Sequence, residues 1–218
     1  MIFRNSYGQH FTRLKSVLSL IAEAGVRLKP DKRNFLQSQI SYLGQVISED
    51  EIKTDPKKIE KVVNWETPGC YADLHSFIAF CNYYRKFIRD FASIAQPLEN
   101  LLKQDTGKIN GKYSKRFVIW DTAGQTAFKE LKRRLTEAPV LAYPTKTGEF
   151  ILDTDASHYH IGGILSQIQD GKEKVIAYTS KKLTNTELKY CVTRKELLAV
   201  YIFVKQFKQF KHNLNTPF

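Results

Sequence analysis

Apolar residues recur at three- and four-residue steps through Phe11, Leu14, Val17, Leu18 and Ile21, and Gly25 stands where such a helix would stop. That spacing predicts one amphipathic helix. Arg27 to Phe35 holds a Pro30-Asp31 turn, and Gln39 to Ile47 alternates with period two, as a short hairpin does. Asp55-Pro56 pairs an N-cap residue with proline at the first helical position, so a helix opens there. Ile59, Val62 and Val63 give its apolar face, and Pro68-Gly69 is expected to end it. Leu74, Phe77, Ile78, Cys81 and Tyr84 form the stripe of a further helix, and Leu98, Leu101 and Leu102 continue a helical run past Pro97.

Gln104 to Arg116 is polar and glycine-containing, which predicts an exposed loop and the hinge of the chain. Beyond it, Trp120-Asp121 leads into a helix bearing Ala127, Phe128, Leu131 and Leu135, closed by Pro139. After Gly148 the period changes. Phe150–Asp155, His160–Ser166 and Glu173–Thr179 read as consecutive strands, and the short gaps between them require antiparallel neighbours. A long helix closes the chain, with Leu197, Val200, Tyr201, Val204, Phe207 and Phe210 as its expected core face. These elements together define an α/β (α+β) chain.

Charge narrows the function. The 34 Lys and Arg against 22 Asp and Glu leave a net charge of +12, a field that favours a polyanion, of which nucleic acid is the commonest. No apolar run approaches the ~20 residues that span a bilayer. Cys70, Cys81 and Cys191 show neither C-x-x-C nor histidines at ligand spacing, which argues against disulfides and zinc and for buried or half-buried thiols.

Candidate chemistry lies in two acidic blocks. Asp153-Thr154-Asp155-Ala156-Ser157 sits where an apolar strand ends, and Thr193-Arg194-Lys195-Glu196 opens the last helix. Carboxylates in such places suit metal-dependent cleavage of nucleic acid, which needs at least three of them around two divalent cations about 4 Å apart. Each has a plainer alternative: a strand-end aspartate forms turns, and Thr193 with Glu196 is also a capping box. Tyr83, Arg85 and Lys86 mix aromatic and basic side chains on a helix, as a nucleic-acid groove does, whereas Tyr84 falls on the apolar stripe.

Taken with Tyr42-Leu43-Gly44, Ser76-Phe77, Asn82 to Ile88, Trp120, Ala127 to Lys132, Ala138 to Leu141, Asp155-Ala156-Ser157 and Glu196 to Val200, the chain resembles the Pol polyprotein of gypsy-class LTR retrotransposons. It departs locally, with Ile78-Ala79-Phe80 where that family has Leu-Gly-Leu and Arg33 where it has Cys. The resemblance implies that residues 1–53 are the end of a reverse transcriptase palm and 54–103 the thumb, with a connection over 104–146. Residues 147–218 would then begin a ribonuclease H-like domain of three antiparallel strands and a long helix.

The implied chemistry is RNA-directed DNA synthesis and cleavage of RNA in RNA–DNA hybrids. Asp155 and Glu196 would be catalytic ligands for Mg²⁺ or Mn²⁺ in the complete enzyme. Lys32 would face nucleotide phosphates, against the alternative of a solvated lysine, and Tyr42, Leu43 and Gly44 would support a primer end, against a plain hairpin. By the same resemblance the polymerase aspartate pair precedes Met1 and a third ribonuclease H aspartate follows Phe218, so the expected site is incomplete and inactive in isolation. The implied partners are RNA–DNA hybrid or duplex nucleic acid and the rest of the polyprotein, in the cytoplasm, a virus-like particle or the nucleus, with no membrane. Two other readings are open: a non-catalytic nucleic-acid-binding remnant, and a host-adopted interaction protein.

Overall fold

A computed structural model describes residues 7–29, 37–48, 51–107 and 111–214, with side chains described as far as residue 208. It divides into two units, residues 1–37 and 38–218. The first holds α1 (Tyr7–Glu23), followed by Gly25 at φ +66, where a left-handed residue ends a helix without a Cβ penalty.

The second unit opens on a hairpin, β1 (Ile40–Tyr42) and β2 (Gln45–Ile47), whose turn residues Leu43 and Gly44 both have positive φ, the geometry a two-residue hairpin turn requires. Two strands absent from the sequence expectation extend it: β3 (Glu51–Thr54) pairs with β2, and β4 (Leu141–Ala142) pairs with β3, Leu141 lying opposite Ile52. Between them in sequence come four helices: α2 (Pro56–Val63), α3 (Tyr71–Tyr83), α4 (Phe91–Lys103) and α5 (Thr122–Thr136). The Asp55 carboxylate caps α2 by accepting from the Lys57 amide at 3.0 Å, as Asp121 caps α5 by accepting from that of Gly124 at 2.6 Å. The second helix ends at Val63, short of Pro68-Gly69, and Lys132 Nζ from α5 donates to the Val63 and Trp65 carbonyls beyond it. Leu74, Phe77, Tyr84, Phe87, Leu98 and Leu131 pack into one core.

Residues 104–107 and 111–116 are not a free loop. Asp105 is buried, accepting from the amides of Gly107 and Ser114 and the Ser114 hydroxyl, while Tyr71 N and Ala72 N donate to the Arg116 and Ser114 carbonyls. Both described flanks are pinned to the bundle.

The second sheet has the order β5 (Phe150–Ala156), β6 (His160–Gln169), β7 (Lys172–Lys182), all antiparallel. Asp170 and Gly171, both at positive φ, turn β6 into β7. One face carries α6 (Val192–Leu214) over a core of Phe150, Ile161, Leu165, Ala199, Phe203 and Phe207. Val175 and Tyr178 from the other face join the helical core. The buried stripe of α6 differs from the expected one: Leu197, Val200, Tyr201 and Val204 are exposed, Ala199 and Phe203 are fully buried, and of the expected residues with described side chains only Phe207 is inside. Two apolar stripes overlap on this helix, and the sheet selects between them. Gly163 leaves room for the Phe203 ring, whose Cδ2 lies 2.8 Å from where a Cβ on residue 163 would stand. Cys81 is buried, whereas Cys191 is exposed, contrary to expectation.

Candidate active site

Asp155 is the sixth residue of β5, and its cross-strand partner is Gly162, itself paired with Ser180 of β7. Because strand residues alternate between faces, these three form one row on the face turned toward the helical bundle. Asp155 is exposed, and among the described residues its carboxylate makes no hydrogen bond or ion pair. It borders a groove of about 220 Å³ shared with Asp90, Ser93, Ser157, His160 and Ser180, and Asp153 lines its continuation beside Arg89. The His160 imidazole is held below its ordinary value by burial and then by Lys182, with Asp90 opposing them. It is neutral at physiological pH.

Glu196 is the fifth residue of α6. The capping-box alternative does not survive, because the helix starts two residues earlier than that box requires, with Lys195 N donating to the Cys191 carbonyl at 3.1 Å and Thr193 already inside it. The Glu196 carboxylate is half-buried and without a hydrogen-bonding or ionic partner among the described residues. Buried Lys195 donates from Nζ to the His158 carbonyl at 3.1 Å, tying the first turn of α6 to the β5–β6 turn. Asp155 and Glu196 therefore stand at the same end of the domain, but Glu196 does not line the Asp155 groove. Their hard oxygen donors suit Mg²⁺ or Mn²⁺, yet no three His, Cys, Asp or Glu side chains converge at ligand spacing among the described residues.

The other sequence candidates are distributed differently. Lys32 lies outside the described residues. Tyr42 and Leu43 are exposed at the hairpin tip. Gly44 admits a close approach, though by the protein itself: at φ +76, a Cβ there would overlap Tyr84 Oη. Tyr84 Oη donates to the Gly44 carbonyl at 2.9 Å and Tyr83 Oη to the Leu43 carbonyl, so two phenols at the end of α3 clamp the turn. Burial, followed by neighbouring Tyr83 and Asp55, pushes the Tyr84 phenol up to about 12, which keeps it a donor at all ordinary pH.

Arg85 and Lys86, expected to present free cations, are half-buried and held internally. The Arg85 guanidinium donates to the Ser180 carbonyl and to Asn82 and lies over the Phe91 ring, while Lys86 Nζ donates to Gln45 Oε1 at 2.9 Å. Desolvation lowers the affinity of both for a proton. One ties the bundle to β7 and the other ties it to β2. Sequence reasoning missed the Asp90 side of the groove, since a contact across 65 residues carries no periodic signal.

The chain is 34% identical over 217 residues to the Retrovirus-related Pol polyprotein from transposon opus of Drosophila melanogaster, covering 99% of this chain and 22% of that protein. It is 33% identical over 202 residues to the corresponding polyprotein from transposon gypsy of the same fly, covering 92% and 19%. The chain is similar to gypsy-class Pol polyproteins along more than nine-tenths of its own length. It spans about a fifth of the length of these curated relatives. Residues 120–217 match the RNase H-like domain found in reverse transcriptase, so the β5–β7 sheet and α6 fall within that domain. A foamy viral protease-reverse transcriptase solved in complex with RNA/DNA hybrid shares the fold, with a TM-score of 0.78 over 95% of this chain and 27% of that one, at 22% identity. No helix among the described residues is long and apolar enough to cross a membrane.

Proposed function

We propose that this chain is the part of a gypsy-class Pol polyprotein that joins the end of the polymerase palm, through thumb and connection, to a ribonuclease H-like domain, and that it binds RNA–DNA hybrid. The supporting observation is Asp155: a carboxylate without a partner among the described residues, in an Asp-Ala-Ser block at the exposed end of β5, inside the RNase H-like match and at the same end as Glu196, which likewise has none among them. In this reading Asp155 and Glu196 would hold Mg²⁺ or Mn²⁺, which would supply water activation and stabilisation of the leaving oxygen in hydrolysis. Tyr42 and Leu43 present the hairpin tip to the duplex. Arg85, Lys86, Tyr83 and Gly44 act indirectly, fixing hairpin, bundle and sheet to one another. The rest of the polyprotein is the assembly partner.

Fluorescence anisotropy with a labelled hybrid tests the reading. The +12 chain should bind without sequence preference, with log affinity falling linearly as log salt rises. Since no three ligand side chains converge among the described residues, Mg²⁺ should support no hybrid cleavage by Asp155 and Glu196 alone. Absence of binding at low salt would favour the interaction-protein reading, and cleavage that survives Asp155→Asn would refute the assignment of Asp155.

A further inference from the structure

Residues 116–118 form an open strand edge on the helical bundle. Cys70 and Phe117 face each other as an antiparallel pair, flanked by the bonds that Tyr71 N donates to the Arg116 carbonyl and Val118 N to that of Gly69. With the bonds on either side of it, this is a non-hydrogen-bonded pair, so the N–H and C=O of Phe117 itself point away from residues 69–71. Neither group makes a hydrogen bond among the described residues. A backbone donor and acceptor left on an open edge are a template for a further strand.

The side chains mark the same edge. Phe117 is 86% exposed, Val118 9% and Ile119 78%, so the strand alternation sends the valine into the core and sets two large apolar side chains on the outer face. Natural edges are ordinarily kept free of such exposed apolar rows. The charge beside them decides what can pair here. Lys112, Lys115 and Arg116 are exposed, and none meets a carboxylate among the described residues. A second copy of this chain would set like cations against one another, which destabilises a strand pair, whereas an acidic strand complements them. Single-stranded nucleic acid would satisfy the cations and stack on Phe117, but it leaves Ile119 and the edge N–H and C=O without a counterpart.

We propose that this edge docks an extended peptide segment of alternating apolar and acidic side chains, which adds to it as a strand. The Phe117 N–H donates to a carbonyl of the segment and the Phe117 C=O accepts from one of its amides, while Phe117 and Ile119 seat its apolar side chains, as in other strand-addition complexes. Lys112, Lys115 and Arg116 attract its carboxylates and keep copies of this chain from pairing through the same edge. The inference goes beyond the hybrid-cleavage reading and uses none of its residues.

The test titrates the whole 218-residue chain, isotope-labelled for NMR, with a short capped peptide alternating valine with glutamate. Amides from Lys115 to Ile119 should shift. With the peptide at about ten times its dissociation constant, the Phe117 amide should exchange its hydrogen about tenfold more slowly, as an N–H that has gained a partner does. Phe117→Ser and Ile119→Ser should each weaken binding about fivefold to tenfold, the share of an apolar anchor. Both side chains already stand in solvent, so both variants should keep the fold, which circular dichroism checks. Absence of shifts at these amides overturns the inference. So does equally tight binding of a glutamate-only peptide of the same length, which would reduce the contact to charge. Tighter binding of oligothymidylate at the same amides also overturns it and makes the edge a nucleic-acid contact, while hybrid binding by the unaltered chain remains the separate test of the reading above.

Discussion

Replacing Gly44 by alanine places two costs on the hairpin tip, and a double-mutant cycle with Tyr84 separates them. The first is conformational: at φ +76 an alanine pays the left-handed penalty of about 1–2 kcal/mol. The second is steric, since the new methyl would overlap Tyr84 Oη and displace its hydrogen bond to the Gly44 carbonyl, a loss of about 1 kcal/mol for a neutral pair. Gly44→Ala should therefore destabilise by about 2–3 kcal/mol. Tyr84→Phe removes the same bond but leaves the ring in place, for about 1 kcal/mol. In the double variant the offending oxygen is gone, and the nearest ring carbon, Cζ at 3.5 Å, makes only ordinary contact. The double variant should thus be about 1 kcal/mol more stable than the sum of the single losses. Urea denaturation followed by far-ultraviolet circular dichroism reads this from midpoint shifts at unchanged slope. Additivity within about 0.3 kcal/mol would show that the phenol is not what Gly44 accommodates, and the clamp would have to be abandoned.

Gly163→Ala drives a methyl into Phe203, which is fully buried, and should cost about 1–3 kcal/mol by overpacking, with partial recovery in Gly163→Ala/Phe203→Leu. A double variant no more stable than Gly163→Ala would refute the proposed seating of that ring. The Glu187 carboxyl is held below its ordinary value of 4.5 by hydrogen bonds from Lys181 Nζ and Thr184 N, each 2.7 Å. Since the folded value is depressed, its stabilisation is present above the ordinary value and disappears as pH falls through the folded one. Glu187→Gln should cost about 1 kcal/mol at pH 7 and progressively less in acid, as denaturant midpoints across that range would report.

Local signals were legible wherever a residue type had only one backbone solution. Asp55-Pro56 and Asp121 started helices by capping, Gly25 ended one, and the change of period after Gly148 with short gaps drew the antiparallel β5–β7 sheet, because each of these depends on neighbours within a few positions. The Asp-Ala-Ser and Glu196 blocks were equally readable as motifs, which is how the family was recognisable. Contacts between distant segments were not. The choice between two apolar stripes on α6 depended on an empty position at Gly163, and β4 was a strand only because β3 lay beside it. Arg85 and Lys86 read as phosphate contacts until Ser180 and Gln45 arrived from 95 and 41 residues away to occupy them. What the sequence by itself determined was the resemblance, carried by its motifs, and the helices and the β1–β2 and β5–β7 strands, encoded in short-range periodicity and capping. Only the tertiary structure decided which charged groups are spent inside the protein and which, like Asp155 and Asp90, remain facing one groove, because that depends on which surfaces close-packing brings together.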